Sequence, residues 1–192
     1  SIDETGWLIE TFLPAAKYLD WPALNNRARV MLDALLDQPN SASLGRINGL
    51  MTGHLQMGDT TCLPRALQSA YALLDIAPSS TIQHAQYAQT LVRLGILVQD
   101  PTLIEAGRRH LQTALAAQTQ CGWFAADAAP VSTLDLAGIV LCVLTTALRL
   151  SDSKSQDAAR RAAGACRSNY LNRARLPAVL MMAGHQKPVR PA

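Results

Sequence analysis

The stretch "LVRLGILVQDPTLIEAGRRHLQTALA", residues 91–116, decides the architecture. It opens with an apolar run, breaks at Gln99-Asp100-Pro101, and resumes with apolar residues at helical spacing. Asp accepts hydrogen bonds from the free N–H groups of a starting helix, and Pro suits its first turn. The stretch therefore predicts one helix ending near Val98 and another starting after Asp100. In the second, Ile104, Gly107, Leu111, Ala114 and Gln118 fall on one side, while Glu105 and Arg109 make an outward i, i+4 pair.

The same design recurs. The turns "LDWPAL", "GDTTCL", "QDPTLI" and "LSDSKSQDA" carry Asp20, Asp59, Asp100 and Asp152, at intervals of 39, 41 and 52 residues. Each interval has the length of a helical hairpin plus a loop, so four hairpins are expected. In the fourth, Ala159, Ala162, Ala163, Cys166 and Tyr170 form the buried face of the second helix. The first helices, such as "AQTLVRLGILV" and "DLAGIVLCVLTTAL", are apolar nearly all round and predict an inner layer covered on several sides. Gly95, Ala137 and Gly138 suit close packing between them, and Pro14 should kink or interrupt the first.

Composition agrees. The 192 residues are 49% hydrophobic, 16% charged and 5% aromatic, with abundant Ala and Leu, which favours an all-α domain over residues 1–175. Residues 176–192, with "GHQKPVRPA", read as a mobile extension. The net charge of +3 is scattered along helices, without the basic stripe that nucleic-acid binding needs. The longest apolar run, Leu136 to Leu148, is shorter than the roughly 20 residues of a membrane span. Cys62, Cys121, Cys142 and Cys166 form no CxxC or metal-spaced set, so neither metal nor cofactor is expected, and cytoplasmic and secreted or periplasmic locations are both compatible. The opening "SIDETGW" lacks Met and reads as a processed or excised start.

The segments "DETGWLIETFLPAAKYL", "DPTLIEAGRRHLQTALAAQTQCGWF" and "STLDLAGIVLCVLTTALRL" resemble the repeating hairpins of (α/α) toroid proteins that handle carbohydrate: glycoside hydrolases, polysaccharide lyases and sugar epimerases. The resemblance spans residues 3–171 and implies a partial toroid, since full members have five to seven hairpins. It also implies a saccharide ligand in polysaccharide degradation or biosynthesis. The Asp-rich motifs of terpene cyclases and the Cys-His-Gly ligands of lanthionine cyclases are absent. A tetratricopeptide-like solenoid, a non-catalytic scaffold for a protein partner or self-association, is the alternative, although its units recur at about 34 residues.

In such an array the loops entering the inner helices share one rim, which nominates residues 3–7, 45–54, 82–87 and 122–135. Glycoside cleavage needs two facing carboxyl groups, which Asp127 or Asp135 opposite Asp3 or Glu4 would supply; these acids equally suit helix caps and solvated positions. Epimerisation or elimination needs a general base, for which His54 and His84 are the best placed, while Tyr87, in the same stretch as the latter, is a ligand-binding candidate. His110, after two arginines, reads as surface. Trp7 and Trp123 suit either sugar stacking or packing between helices. Arg46 and Asn48 would hold an acidic sugar or bridge a loop.

Overall fold

The computed structural model describes residues 1–39, 41–120, 122–124 and 133–173, without the side chains of 133–136 and 166–173. Among the described residues the chain is all-α, with eight helices and no strand. These are α1 (Ile2–Tyr18), α2 (Pro22–Asp37), α3 (Leu44–Met57), α4 (Cys62–Leu74), α5 (Thr81–Val98), α6 (Pro101–Ala116), α7 (Thr133–Arg149) and α8 (Ser153–Arg173). They pair as consecutive hairpins in two compact units, one of Ser1–Ala77 and one from Pro78 onward. In the first unit α1 packs on α2 and α3, and α3 on α4; in the second α5 packs on α6 and α7, and α7 on α8. The first helix of each hairpin thus packs on its counterpart in the other hairpin of its unit, while the second helix flanks it.

The hairpin turns share one backbone device. Asp20, Gly58, Gln99 and Ser151 each take a left-handed conformation, with φ of 47°, 72°, 57° and 53°. In three of them the next N–H reaches back five residues: Trp21 to Ala16 at 2.9 Å, Asp100 to Gly95 at 2.8 Å and Asp152 to Ala147 at 3.0 Å. This bond satisfies carbonyls that the helix end leaves free. The next helix is then capped. Asp100 Oδ1 accepts from Thr102 N–H at 2.8 Å and Leu103 N–H at 3.4 Å, and Asp152 Oδ1 from Lys154 N–H at 3.1 Å and Ser155 N–H at 3.4 Å. The α4 helix has no side-chain cap; there Asp59 Oδ1 holds the turn before the helix, accepting from the Thr61 N–H at 2.9 Å and hydroxyl at 2.6 Å.

Asp20 departs from the expectation. It occupies the left-handed position, and Trp21, which makes no side-chain capping bond, stands where the other turns place Asp. Aligned on backbone geometry, the first repeat interval runs from Asp20 to Gly58, one residue shorter than the aspartates suggest.

Other expectations also change. Pro14 lies inside α1, which continues to Tyr18 without interruption. Glu105 pairs with Arg108, at 3.5 Å, rather than with Arg109. Ala159 and Ala162 are buried as expected, but Ala163 is exposed, and the side chains of Cys166 and Tyr170 lie outside the described residues. The α7 helix is not covered all round, because Leu141 and Leu148 are 59% and 55% exposed.

Close approach of helix backbones occurs at Gly6, Gly45 and Gly49, where α1 crosses α3. A Cβ on Gly6 would stand 1.8 Å from the Gly45 carbonyl oxygen, and one on Gly45 would stand 2.1 Å from that of Asp3. Gly138, by contrast, has its nearest atom at 3.6 Å, and Gly95 lies against Ile104 of its own hairpin. No described helix is long and apolar enough to cross a membrane.

Candidate functional site

Of the first-unit residues nominated from the sequence, Asp3, Glu4, Trp7, Arg46 and Asn48 lie in the first halves of α1 and α3 and His54 in the last turn of α3, and most of them do structural work. Asp3 extends from the first turn of α1 to the start of α3. Its Oδ1 accepts the Gly45 N–H at 2.8 Å and the Ser43 hydroxyl, whose own oxygen accepts the Arg46 N–H at 3.1 Å. Asp3 is therefore a cap for the neighbouring helix, and it ties α1 to the positive end of α3. Glu4 completes a capping box with Ser1; the hydrogen bond and charge of the Ser1 amino group, 2.7 Å away, hold its carboxyl below the usual range. Asp127 lies outside the described residues, as does the side chain of Asp135.

Arg46 is fully buried and Asn48 nearly so, which closes both to a ligand arriving from solvent. Arg46 Nη2 donates to the Gln38 carbonyl at 3.1 Å, while Nε and Nη1 have no hydrogen-bond partner among the described residues. Gln38 ends α2, whose last turn has no basic residue, so the guanidinium supplies the cation that helix end favours. Burial, and then the like charge of Arg65, push the Arg46 pKa down.

His54 Nδ1 meets the Asp59 carbonyl oxygen at 3.1 Å, which makes it part of the α3–α4 turn. In that turn the Thr61 hydroxyl and N–H hold the Asp59 carboxyl below its usual range. Beside it Cys62 is buried, and burial with the charges of Asp59 and Asp33 pushes its thiol up to about 12, leaving it protonated and unreactive. Trp7 is half-buried along α1, with its carbonyl accepting the Thr11 hydroxyl at 3.0 Å.

In the second unit Trp123 packs against the core that contains Phe124, Ile139 and Val143. The loop around it is stitched to α8: Gln118 Nε2 donates to the Gly122 carbonyl at 3.1 Å and to the Ala158 carbonyl at 2.8 Å. A Cβ on Gly122, at φ 91°, would stand 2.8 Å from the Arg161 carbonyl oxygen. This Gly-Trp-Phe segment is thus a joint between α6 and α8.

Two groupings that the sequence did not single out remain. The first is a cleft of about 340 Å³ where α1 turns into α2. Leu13 and Ala16, both buried, contribute apolar lining, while Lys17, Asp20, Asn25 and Gln56 contribute polar groups. Trp21 stands in its wall, 54% exposed. It lies at the opposite end of α1 from Asp3 and Glu4. Its sequence signal was a Trp standing where the other three turns carry an Asp.

The second grouping joins His84, Tyr87 and His110. Nδ1 of His84 and Nδ1 of His110 are 3.0 Å apart, with ring centroids at 5.2 Å, and Tyr87 meets the His110 ring edge-on, also at 5.2 Å. His110 is half-buried rather than on the surface; burial, then His84 and Arg109, push its pKa down. Because α6 packs along α5, residues 26 apart meet, a juxtaposition invisible to local spacing.

No family model, curated protein or solved structure matches the chain. Its functional reading therefore rests on its own residues.

Proposed function

We propose that this protein binds saccharide in the cleft at the α1–α2 turn, as a hairpin-repeat protein of the partial (α/α) toroid type. The observation that carries the reading is Trp21: a large aromatic ring, 54% exposed, in the wall of a cleft that also holds two carboxamides. The C–H face of a sugar ring packs on such an indole, and its hydroxyls bond to the Asn25 and Gln56 amides and the Asp20 carboxylate. Lys17 adds a cation suited to a carboxylated sugar. The role is one of binding rather than glycoside cleavage, because Asp3 and Glu4 are engaged as caps.

The test is a titration of neutral and uronic-acid oligosaccharides, followed by amide NMR. The expected outcome is saturable shifts around residues 16–25 and 56, with affinity reduced at least about tenfold by Trp21→Ala, a loss of about 1.4 kcal/mol. Shifts that survive Trp21→Ala unchanged, or no saturable shift with either class, would overturn the reading.

A non-catalytic scaffold that self-associates is the second reading. It is favoured by Leu141 and Leu148 on α7, exposed and seven residues apart, a spacing that suits helix-on-helix pairing with a second copy of the chain. Sedimentation would then show dimers that Leu141→Lys dissociates; a wild-type monomer at all concentrations would remove it.

A further inference from the structure

The geometry points to the His84–His110 pair as a binding site for a borderline divalent transition-metal ion of the Zn²⁺ class. Two imidazole nitrogens from different helices converge head-on at 3.0 Å, with their ring centroids 5.2 Å apart. Two imidazoles on one tetrahedral ion, with bonds of about 2.05 Å, would have centroids about 5.2 Å apart and nitrogens about 3.3 Å apart. At this centroid spacing the ion requires each ring to tilt by roughly 35° away from the head-on arrangement.

The proton balance also works. In the neutral pair one Nδ1 donates and the other accepts. When the hydrated ion enters, the donating imidazole shifts its proton to Nε2, both Nδ1 lone pairs face the metal, and four of the six metal-bound waters leave for bulk solvent while two stay on the tetrahedral ion. No proton is released.

Imidazole ligands select Zn²⁺, Cu²⁺ and Ni²⁺ over Mg²⁺ or Ca²⁺. No group of three or more His, Cys, Asp and Glu able to hold a metal occurs among the described residues, so the two imidazoles are the ligands these residues supply. The Arg109 charge, already felt by His110, opposes the incoming cation. Together these make the site exchangeable rather than structural. The sequence led to the opposite expectation, of no metal, because its cues are ligands close together in the chain.

The test uses the whole chain. Calorimetric titration with ZnCl₂ at neutral pH should show one saturable site, weakened at least about tenfold in His84→Gln and in His110→Gln and retained in His54→Gln. Histidine ¹⁵N spectra of the wild type, which do not depend on any variant folding, should show Zn²⁺ moving the Nδ1 resonances of His84 and His110. Absence of saturable binding up to about 1 mM Zn²⁺, equal binding by all variants, or coordination through Nε2 would each overturn the inference.

Discussion

The two units build the same pair of hairpins around different seams. In the first, glycine backbones meet: α1 crosses α3 at Gly6, Gly45 and Gly49, with the Asp3 carboxylate on the Gly45 N–H at 2.8 Å. In the second, side chains span the corresponding α5–α7 seam: Gln89 Nε2 donates to the Thr145 hydroxyl at 3.1 Å, and the Cys142 thiol donates to Gln89 Oε1 at 3.1 Å. There the tight glycines lie within a hairpin, Gly95 against Ile104 and Gly107 against Val92. A glycine seam tolerates no added atom because its neighbours are backbone, whereas a side-chain seam can repack. Equivalent positions in two repeats therefore carry different tolerance.

The largest effect expected from this difference is at the glycine seam. Gly6→Ala and Gly45→Ala should each cost about 3 kcal/mol or more, since the Cβ collides with backbone that cannot rotate away. Gly138→Ala, whose nearest neighbour is at 3.6 Å, should gain about 0.5–1 kcal/mol from helix propensity. Urea unfolding midpoints measure both; a Gly138→Ala loss as large as that of Gly6→Ala would break the comparison.

Next in size is the joint to α8. Gln118→Ala removes donors to the Gly122 and Ala158 carbonyls and should destabilise by about 1–3 kcal/mol, visible as faster amide exchange in α8. Unchanged exchange there would mean that the apolar core, not this bridge, holds α8.

Smaller effects sit at the turns. Asp100→Ala and Asp152→Ala should each lose about 1 kcal/mol, whereas Trp21→Asp should raise thermal stability by a similar amount while removing the stacking face. Thermal unfolding paired with saccharide titration separates the two consequences, and a destabilised Trp21→Asp would show that the first turn is not equivalent to the others.

The smallest is a pH slope confined to the second unit. Because His110 is depressed below its ordinary 6.5, the unfolded chain takes up its proton before the folded one. Its contribution to stability is therefore full above that value and declines as pH falls through it. Stability followed by urea unfolding between neutral and mildly acidic pH should show this decline, flattened in His110→Gln.

Much of the fold was legible in advance because helix boundaries depend on local chemistry. Asp100 and Pro101 locate a helix start wherever the chain goes, since cap and ring geometry act within a few residues. The first turn misled by one position because the aspartate there takes the left-handed conformation, and short-range pattern cannot tell that use of Asp from a cap. The candidate sites were far less legible. The sequence nominated Trp7 and Trp123 and passed over Trp21, because only packing distinguishes an aromatic residue among helices from one in a cleft wall. His110 looked superficial beside Arg108 and Arg109, yet it meets His84 across the hairpin.

What the sequence determined alone was therefore the list of helices, the hairpin rhythm and most of the buried face of α6, because periodicity and capping are one-dimensional properties of a chain. Tertiary structure decided which glycines touch, where the guanidinium of Arg46 is buried, and which histidines and aromatic residues share a site. Those depend on how one helix lies against another, through contacts between residues far apart in the chain that no local window contains.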